Sequence, residues 1–289
     1  MEASELLKKV RKIEIKTRRL SQDLFSGEYH SAFKGRGMSF SEVREYTMGD
    51  DIRSIDWNVT ARFNHPFVKV FEEERELTVM LIVDVSASEY FGTRRQLKQD
   101  MVTELCAVLA FSAIQNNDKI GVLFFTDRVE KFIPPKKGKS HILHIIRELL
   151  EFKPEGKKTD ISGALRYFNN AIKKKSIAFV ISDFMDSNFT DALKIASGKH
   201  DLVALRIYDR REKEMPPIGL VQFFDAEAGS EVWLDTSNAK VRNRYFAAVR
   251  KKDQSLKDAF IRSGVDYAEI ATDQSYVEPL TALFARRGR

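Results

Sequence analysis

From residue 67 onward, apolar runs alternate with longer amphipathic segments, and this alternation predicts an α/β protein. Two runs are mostly apolar and rich in β-branched residues, as in strands buried on both faces of a sheet: LTVMLIVDV at 77–85 and SIAFVISDF at 176–184. The segments between the predicted strands place apolar residues at three- and four-residue steps, the spacing of helices that pack on a sheet. We therefore predict a Rossmann-like, three-layer α/β fold with a mostly parallel central sheet.

The pattern differs in two places. Residues 4–20 place apolar residues at helical spacing with lysines and arginines on the other face, which predicts an amphipathic helix. That helix either docks on the main domain or lies on a membrane surface. The glycine-punctuated segment that follows is interpreted as loop-rich but ordered, so that residues 1–76 form an N-terminal extension packed on a main domain at 77–289. Within 211–235, two strand-like runs flank Ala-Gly-Ser, which predicts a late β-hairpin.

Composition narrows the class of protein. The chain has 289 residues, 43% hydrophobic and 31% charged, which is typical of a soluble globular protein. It has one cysteine, Cys106, in an apolar helical stretch, so we expect a buried thiol in a reducing compartment. No apolar run reaches the roughly 20 residues that span a bilayer, so we expect a cytoplasmic protein without a transmembrane segment. The net charge of +6 is compatible with an acidic protein, nucleic acid or anionic lipid as partner.

Three polar clusters lie at or near the carboxyl ends of predicted strands, where ligands bind in parallel α/β sheets. Asp84, Ser86 and Ser88 alternate after the first buried run, so their side chains can converge on one point. The second cluster is Thr159-Asp160 in the loop before a helix, where Asp160 is interpreted as the N-cap, and the third is Ser182-Asp183, which closes the second buried run. All these ligand atoms are oxygens, which favours Mg²⁺ or another hard divalent cation such as Mn²⁺ or Ca²⁺. The set leaves a coordination position open for an outside carboxylate.

The D-x-S-x-S motif at a strand end, with a later threonine and a later aspartate, resembles the metal-ion-dependent adhesion site of the von Willebrand factor A domain. That resemblance covers roughly residues 77–289. It implies that five residues bind the metal directly or support those that do: Asp84, Ser86, Ser88, Thr159 and Asp183. Simpler interpretations stay open for single members of the set, because aspartate and serine are also favoured at helix N-caps and in turns.

The segment GRGMSFSEVREYTMGDDIRSIDWNVTAR at 35–62 closely resembles the signature of the bacterial family called domain of unknown function 58, and DAEAGSEVWLDT at 225–236 is like its late hairpin. In that family the signature precedes a von Willebrand A-like domain. The resemblance implies association with MoxR-type AAA+ ATPases, as an adaptor or in chaperone-like assembly. Many members carry methionine where this chain has Glu89, whose carboxylate either points away or occupies the open metal position.

These observations favour a non-enzymatic interaction module whose metal binds an acidic residue of a protein partner, and the family resemblance implies a MoxR-type AAA+ ATPase as that partner. One alternative is a metal-dependent phosphate-ester hydrolase that uses the same oxygens. Catalysis has little support, because no histidine or second acidic cluster falls near the predicted strand ends. Another alternative is a membrane or nucleic-acid binder that uses the basic first helix, although we expect no nucleic acid partner.

Overall fold

The computed structural model describes most of the chain. The described residues are 38–73, 76–86, 98–225 and 230–287, together with Val10, Arg11, Ile13, Glu14, Lys16, Thr17 and Phe33 near the N-terminus. Ser88, Glu89 and the turn of the late hairpin lie outside them. None of the described helices combines the length and the apolar character that crossing a bilayer requires.

Ten strands and eight α-helices are described within these ranges. The strands are β1 (Met38–Glu45), β2 (Phe67–Glu73), β3 (Thr78–Asp84), β4 (Lys119–Phe125), β5 (Val129–Lys136), β6 (Ile177–Ser182), β7 (Asp201–Tyr208), β8 (Leu220–Asp225), β9 (Ser230–Asp235) and β10 (Asp266–Ala271). The helices are α1 (Trp57–Phe63), α2 (Lys98–Gln115), α3 (Lys139–Glu151), α4 (Ile161–Ala171), α5 (Thr190–Lys199), α6 (Arg210–Lys213), α7 (Ala239–Arg262) and α8 (Val277–Arg287).

Six strands form the central sheet, in the order β10-β7-β6-β3-β4-β5. Every neighbouring pair is parallel except β4 and the edge strand β5, which are antiparallel. When the six strands of this sheet are counted in chain order, their arrangement is that of a doubly wound Rossmann-like sheet. In such a sheet the first and fourth strands are neighbours, and the strand order reverses between them. The predicted mostly parallel α/β fold is confirmed, and the reversal lies between β3 and β6.

Helices cover both faces of this sheet, because each central strand is apolar on both sides. In β3, Val79 and Leu81 belong to one buried cluster, whereas Met80 and Ile82 belong to another. The first cluster includes residues of α2, α3 and α8, and the second includes residues of α4, α5 and α7. Cys106 of α2 is fully buried in the first cluster, as expected. The three layers therefore hold the strand ends at a rigid edge.

The segment expected to be loop-rich contains a strand that the sequence pattern did not predict. β1 pairs antiparallel with β2 in a separate two-stranded ribbon. Ile52 and Trp57, two of the large apolar residues in this segment, are 66% and 68% exposed, so burial of these side chains does not hold it in place. Its order rests instead on polar contacts. The guanidinium of Arg44 donates two hydrogen bonds of 2.7 Å to Asp50, and this pairing lowers the pKa of Asp50.

The predicted N-terminal helix is confirmed at the positions that are described, and they are docked on the main domain. Val10 and Thr17 are buried, and Val10 belongs to the same apolar cluster as α2. Lys16 forms an ion pair of 2.5 Å with Glu104 of α2. These contacts support the docking interpretation over a helix that lies on a membrane surface.

The late hairpin is also confirmed, since β8 pairs antiparallel with β9 in a second two-stranded ribbon. The long helix α7 ends at Arg262, two residues before a glycine. Gly264 adopts a φ of 64°, in the left-handed region that favours glycine. The amide of Val265 then donates to the carbonyl oxygen of Phe260 at 3.0 Å, so the last turn of α7 closes in a Schellman-type cap.

Candidate functional site

Asp84 and Ser182 are the last residues of two neighbouring parallel strands, β3 and β6. The order of the sheet reverses between these strands, and such a switch point is where open α/β sheets bind ligands. Both side chains are buried, at 1% and 0% exposed. The sequence places a carboxylate and a hydroxyl in the crevice that the fold itself creates.

The carboxylate of Asp84 accepts hydrogen bonds on both oxygens. The hydroxyl of Ser182 donates to Oδ2 at 2.6 Å, and the backbone amide of Ser86 donates to Oδ1 at 3.0 Å. The hydroxyl of Thr159 lies 3.5 Å from Oδ2. The Ser86 contact is a local turn of the kind aspartate often makes. The other two bring distant parts of the chain to one carboxylate.

Burial raises the free energy of the ionised form of the Asp84 carboxylate. Loss of water and the nearby negative charge of Asp183 raise the pKa of Asp84 to about 7, although the hydrogen bonds from Ser182 and Ser86 oppose the rise. A buried anion needs a proton or a cation to offset its desolvation. A positive charge bound at Asp84 would supply that compensation.

A buried lysine, which the sequence analysis did not identify, lies beside this site. Lys98 in the first turn of α2 is 0% exposed. Its Nζ is 3.2 Å from Oδ2 of Asp183 and 2.6 Å from Oε1 of Glu212. Burial raises the pKa of Glu212, and the charge of Lys98 opposes that rise. The cluster therefore joins α2 to the end of β6 and to α6.

The sequence pattern around Lys98 places this residue on the buried face of α2. It stands three, four and seven residues before Met101, Val102 and Leu105, which are buried along one face of α2. A lysine in register with a buried face is either extended to the surface or paired inside. Glu212 has no comparable signal, because it lies in a four-residue helix whose packing only the tertiary structure determines.

The loop that carries Thr159 is fixed to the β4–β5 hairpin. The amide of Asp160 donates to the carbonyl oxygen of Thr126 at 2.8 Å, and the amide of Gly156 donates to Glu130 at 2.8 Å. A Cβ added to Gly156 would overlap side-chain atoms of Thr126 and Asp127. Asp160 caps α4 by accepting from the amide of Gly163 at 2.8 Å, as the sequence predicted.

The loop that follows Asp183 is held just as closely. Oδ1 of Asp183 accepts from the amide of Met185 at 3.0 Å. Phe184 has a φ of 56°, which is uncommon for a residue with a side chain, and it is buried against Phe260. Asp186 accepts from the amide of Ile161 at 2.9 Å, so this loop is tied to the start of α4. The aspartate at the strand end is thus held in one orientation.

The structure brings four of the five predicted site residues to one edge of the sheet: Asp84, Ser86, Thr159 and Asp183. The fifth, Ser88, lies outside the described residues, as does Glu89. In the part of the chain that is described, no group of three or more His, Cys, Asp or Glu side chains is arranged to hold a metal ion. A cation here would depend on hydroxyl oxygens, and the metal site stays a prediction.

The sequence profile of one family, described as "Protein of unknown function DUF58", matches residues 42–255. The chain belongs to this family. Among curated relatives, the uncharacterized protein Rv1480 of Mycobacterium tuberculosis is 27% identical over 285 residues, which cover 97% of this chain and 89% of that protein. The match begins inside β1 and ends inside α7, so it includes most of the separate ribbon and five of the six strands of the central sheet.

Among solved structures, an aerotolerance-related membrane protein from Bacteroides fragilis matches with a TM-score of 0.50 and 15% identity. The match covers 73% of this chain and 99% of that one, which shows a shared fold. The SpRpn10 VWA domain matches 73% of this chain and 95% of its own, with 9% identity and a TM-score of 0.42. The match to the Bacteroides fragilis protein supports the three-layer, Rossmann-like α/β fold described above.

Proposed function

We propose that the protein is an interaction module that holds one divalent cation, such as Mg²⁺, at Asp84 and offers it to an acidic side chain of a protein partner. The observation that supports this most strongly is the buried carboxylate of Asp84 at the switch point of the sheet. Its described hydrogen bonds come from hydroxyls and a backbone amide, which are neutral donors. A cation would balance its charge.

The charges of the described residues fit a divalent ion. Asp84, Asp183 and Glu212 are acidic, and Lys98 is the base that contacts two of them. When all four are ionised, the cluster carries two net negative charges, which one divalent cation would neutralise. Asp84, Ser86 and Thr159 would supply oxygen ligands, which Mg²⁺ prefers. The ion would supply an electrophilic position to which an outside carboxylate can bind.

The identity of the protein partner is a separate part of the proposed function. A metal that accepts a carboxylate does not distinguish one acidic protein from another, so the surface around it would set specificity. The family resemblance implies a MoxR-type AAA+ ATPase, and we propose such an ATPase as the partner. An acidic side chain on its surface would complete the metal's coordination.

The metal is tested by isothermal titration of the purified chain with MgCl₂ and by its melting temperature with Mg²⁺ or EDTA. We expect the wild type to bind Mg²⁺ and to melt at a higher temperature with it, and Asp84→Ala to lose both responses. Asp191→Ala removes an exposed carboxylate in the first turn of α5 and serves as the matched control. Identical responses in the wild type and Asp84→Ala would contradict the metal site.

The partner is tested separately, with a MoxR-type ATPase from the same organism immobilised as bait. We expect Mg²⁺-dependent capture of the wild type and of Asp191→Ala, and no capture of Asp84→Ala or in EDTA. Capture that survives both EDTA and Asp84→Ala would show an interaction that does not pass through the metal.

A further inference from the structure

Lys98 places its ammonium group 3.2 Å from Oδ2 of Asp183, one of the predicted metal-site carboxylates. We propose that Lys98 sets the cation affinity of the strand-end site by competing with the metal for Asp183, with Glu212 as the alternative partner of the lysine. The proposal rests on the proposed metal at Asp84 and concerns how tightly that metal is held. It makes Lys98 an affinity-determining residue, although it is not a ligand.

Both oxygens of Asp183 already accept from the protein. Oδ1 takes the amide of Met185 at 3.0 Å, and Oδ2 takes the ammonium of Lys98 at 3.2 Å. A cation at Asp84 would draw on the negative charge of Asp183, and Lys98 reduces that charge. Because the lysine is 0% exposed, water screens this competition little.

Glu212 is positioned to hold the lysine when a metal arrives. Its Oε1 is 2.6 Å from Nζ of Lys98, closer than Asp183 is. Its other oxygen accepts from the amide of Asp209 in a capping box, and its backbone carbonyl accepts from the hydroxyl of Tyr245 at 2.5 Å. Fixed on both sides, Glu212 gives Lys98 a second carboxylate.

Substitutions on the two sides of this arrangement should move metal affinity in opposite directions. Lys98→Met removes the competing charge while keeping most of the buried volume, so we expect Mg²⁺ and Mn²⁺ to bind about tenfold more tightly or better. Glu212→Gln removes the second carboxylate, so that the charge of Lys98 acts more strongly on Asp183. We therefore expect the affinity for Mg²⁺ and Mn²⁺ to fall by about threefold or more. A purely structural role would weaken metal binding in both variants.

The route through Asp183 is tested by a double-mutant cycle. If Lys98 acts by competing for Asp183, its removal should bring little gain in an Asp183→Asn background. An unspecific change of field at Asp84 would give the same gain in both backgrounds. Lys131→Met is the charge control, because it removes a lysine that pairs with Glu148 at 2.6 Å on β5 and α3, away from the site.

The measurement is titration of each purified chain with MgCl₂ and with MnCl₂, with circular dichroism to establish that it is folded. Tighter binding in Lys98→Met, weaker binding in Glu212→Gln and a gain that depends on Asp183 support the proposal. Unchanged or weaker binding in folded Lys98→Met overturns it, as does an equal gain in the Asp183→Asn background. If Lys98→Met does not fold, Glu212→Gln decides, and undiminished affinity there overturns the proposal.

The experiment distinguishes failure of the proposed role of Lys98 from failure of the proposed metal site. If the wild type shows no Mg²⁺ binding, the proposed function fails, but binding acquired by Lys98→Met would still show the competition. Absence of binding in both chains overturns both proposals. Binding in both with equal affinity overturns only the role of Lys98.

Discussion

The hydroxyl of Ser182 donates a hydrogen bond of 2.6 Å to Oδ2 of Asp84, although the two residues lie 98 positions apart in the chain. The same hydroxyl accepts from the amide of Phe184 at 3.0 Å. Ser182 thus links the end of one central strand to the loop that follows another. The orientation of the Asp84 carboxylate depends on this link as well as on its own backbone.

Ser182→Ala removes the donor and leaves the buried carboxylate with less compensation. We expect the free energy of unfolding to fall by about 1 to 3 kcal/mol, the usual effect of depriving a buried charged group of a hydrogen bond. Urea denaturation with EDTA present measures it. Ser187→Ala, which changes an exposed serine in the loop after β6, is the control, and an equal loss there would show that the hydrogen bond contributes nothing particular.

Gly156→Ala tests the loop that positions Thr159. A Cβ at this position overlaps atoms of Thr126 and Asp127, so the loop must shift. We expect a loss of about 1 to 3 kcal/mol in stability and weaker Mg²⁺ binding in titration. Gly198→Ala in α5 has open space around its new Cβ and should gain about 0.5 to 1 kcal/mol. If Gly156→Ala lowers neither stability nor Mg²⁺ affinity, the close approach of this loop to Thr126 and Asp127 is unimportant.

Because His200 is buried, we expect the stability of the protein to depend on pH in a way that is independent of the metal site. Burial lowers the pKa of His200 to about 4, while in the unfolded chain it titrates near 6.5. The unfolded state therefore takes up a proton first, and the contribution of His200 to stability, complete above about pH 6.5, is lost as pH falls toward 4. The slope reaches about 1.4 kcal/mol per pH unit.

The measurement compares the wild type with His200→Gln by urea denaturation at about pH 7.5 and 4.5, on either side of most of this transition. The stability advantage of the wild type over the variant should shrink at the lower pH. An advantage of the same size at both values would show that His200 does not carry this dependence.

Arg287 joins α8 to the edge of the central sheet. Its guanidinium contacts both carboxylate oxygens of Asp201 at 2.5 Å and one of Asp266 at 2.7 Å, and it stacks over the ring of Phe33. Arg287→Ala leaves the mostly buried carboxylate of Asp201 without this partner, whereas Asp266 is exposed to water, and we expect a loss of about 2 to 3 kcal/mol in thermal or urea denaturation. The neighbouring Arg286→Ala, which changes an exposed side chain, should cost less than about 1 kcal/mol.

The sequence predicted the main sheet and where its polar residues would meet, because those features depend on local patterns. The runs that became β3 and β6 are apolar on both faces until they reach Asp84 and Ser182, which requires cover on both faces. Parallel pairing then brings their carboxyl ends to one edge. Asp84 and Asp183 could therefore be placed together before any contact was known.

The features that the sequence did not predict depend on particular contacts. β1 contains an irregularity between Phe40 and Glu42 that breaks the two-residue alternation by which a strand is recognised. Lys98 and Glu212 are ionisable residues of helices, which ordinarily lie at the surface. Their partner at the end of β6 is known only once the chain has folded.

The pairing of β3 with β6 also sets an order of events in folding. Val79 of β3 lies beside Ile177 of β6, and nearly a hundred residues must be folded or looped before these strands meet. Contacts this distant in the chain slow folding, and Asp84 can reach Ser182 only when the central pair has closed. If those contacts form after the rate-limiting step, a ligand bound there slows unfolding and leaves the folding rate nearly unchanged. Occupancy of the site would then act mainly on the lifetime of the folded protein.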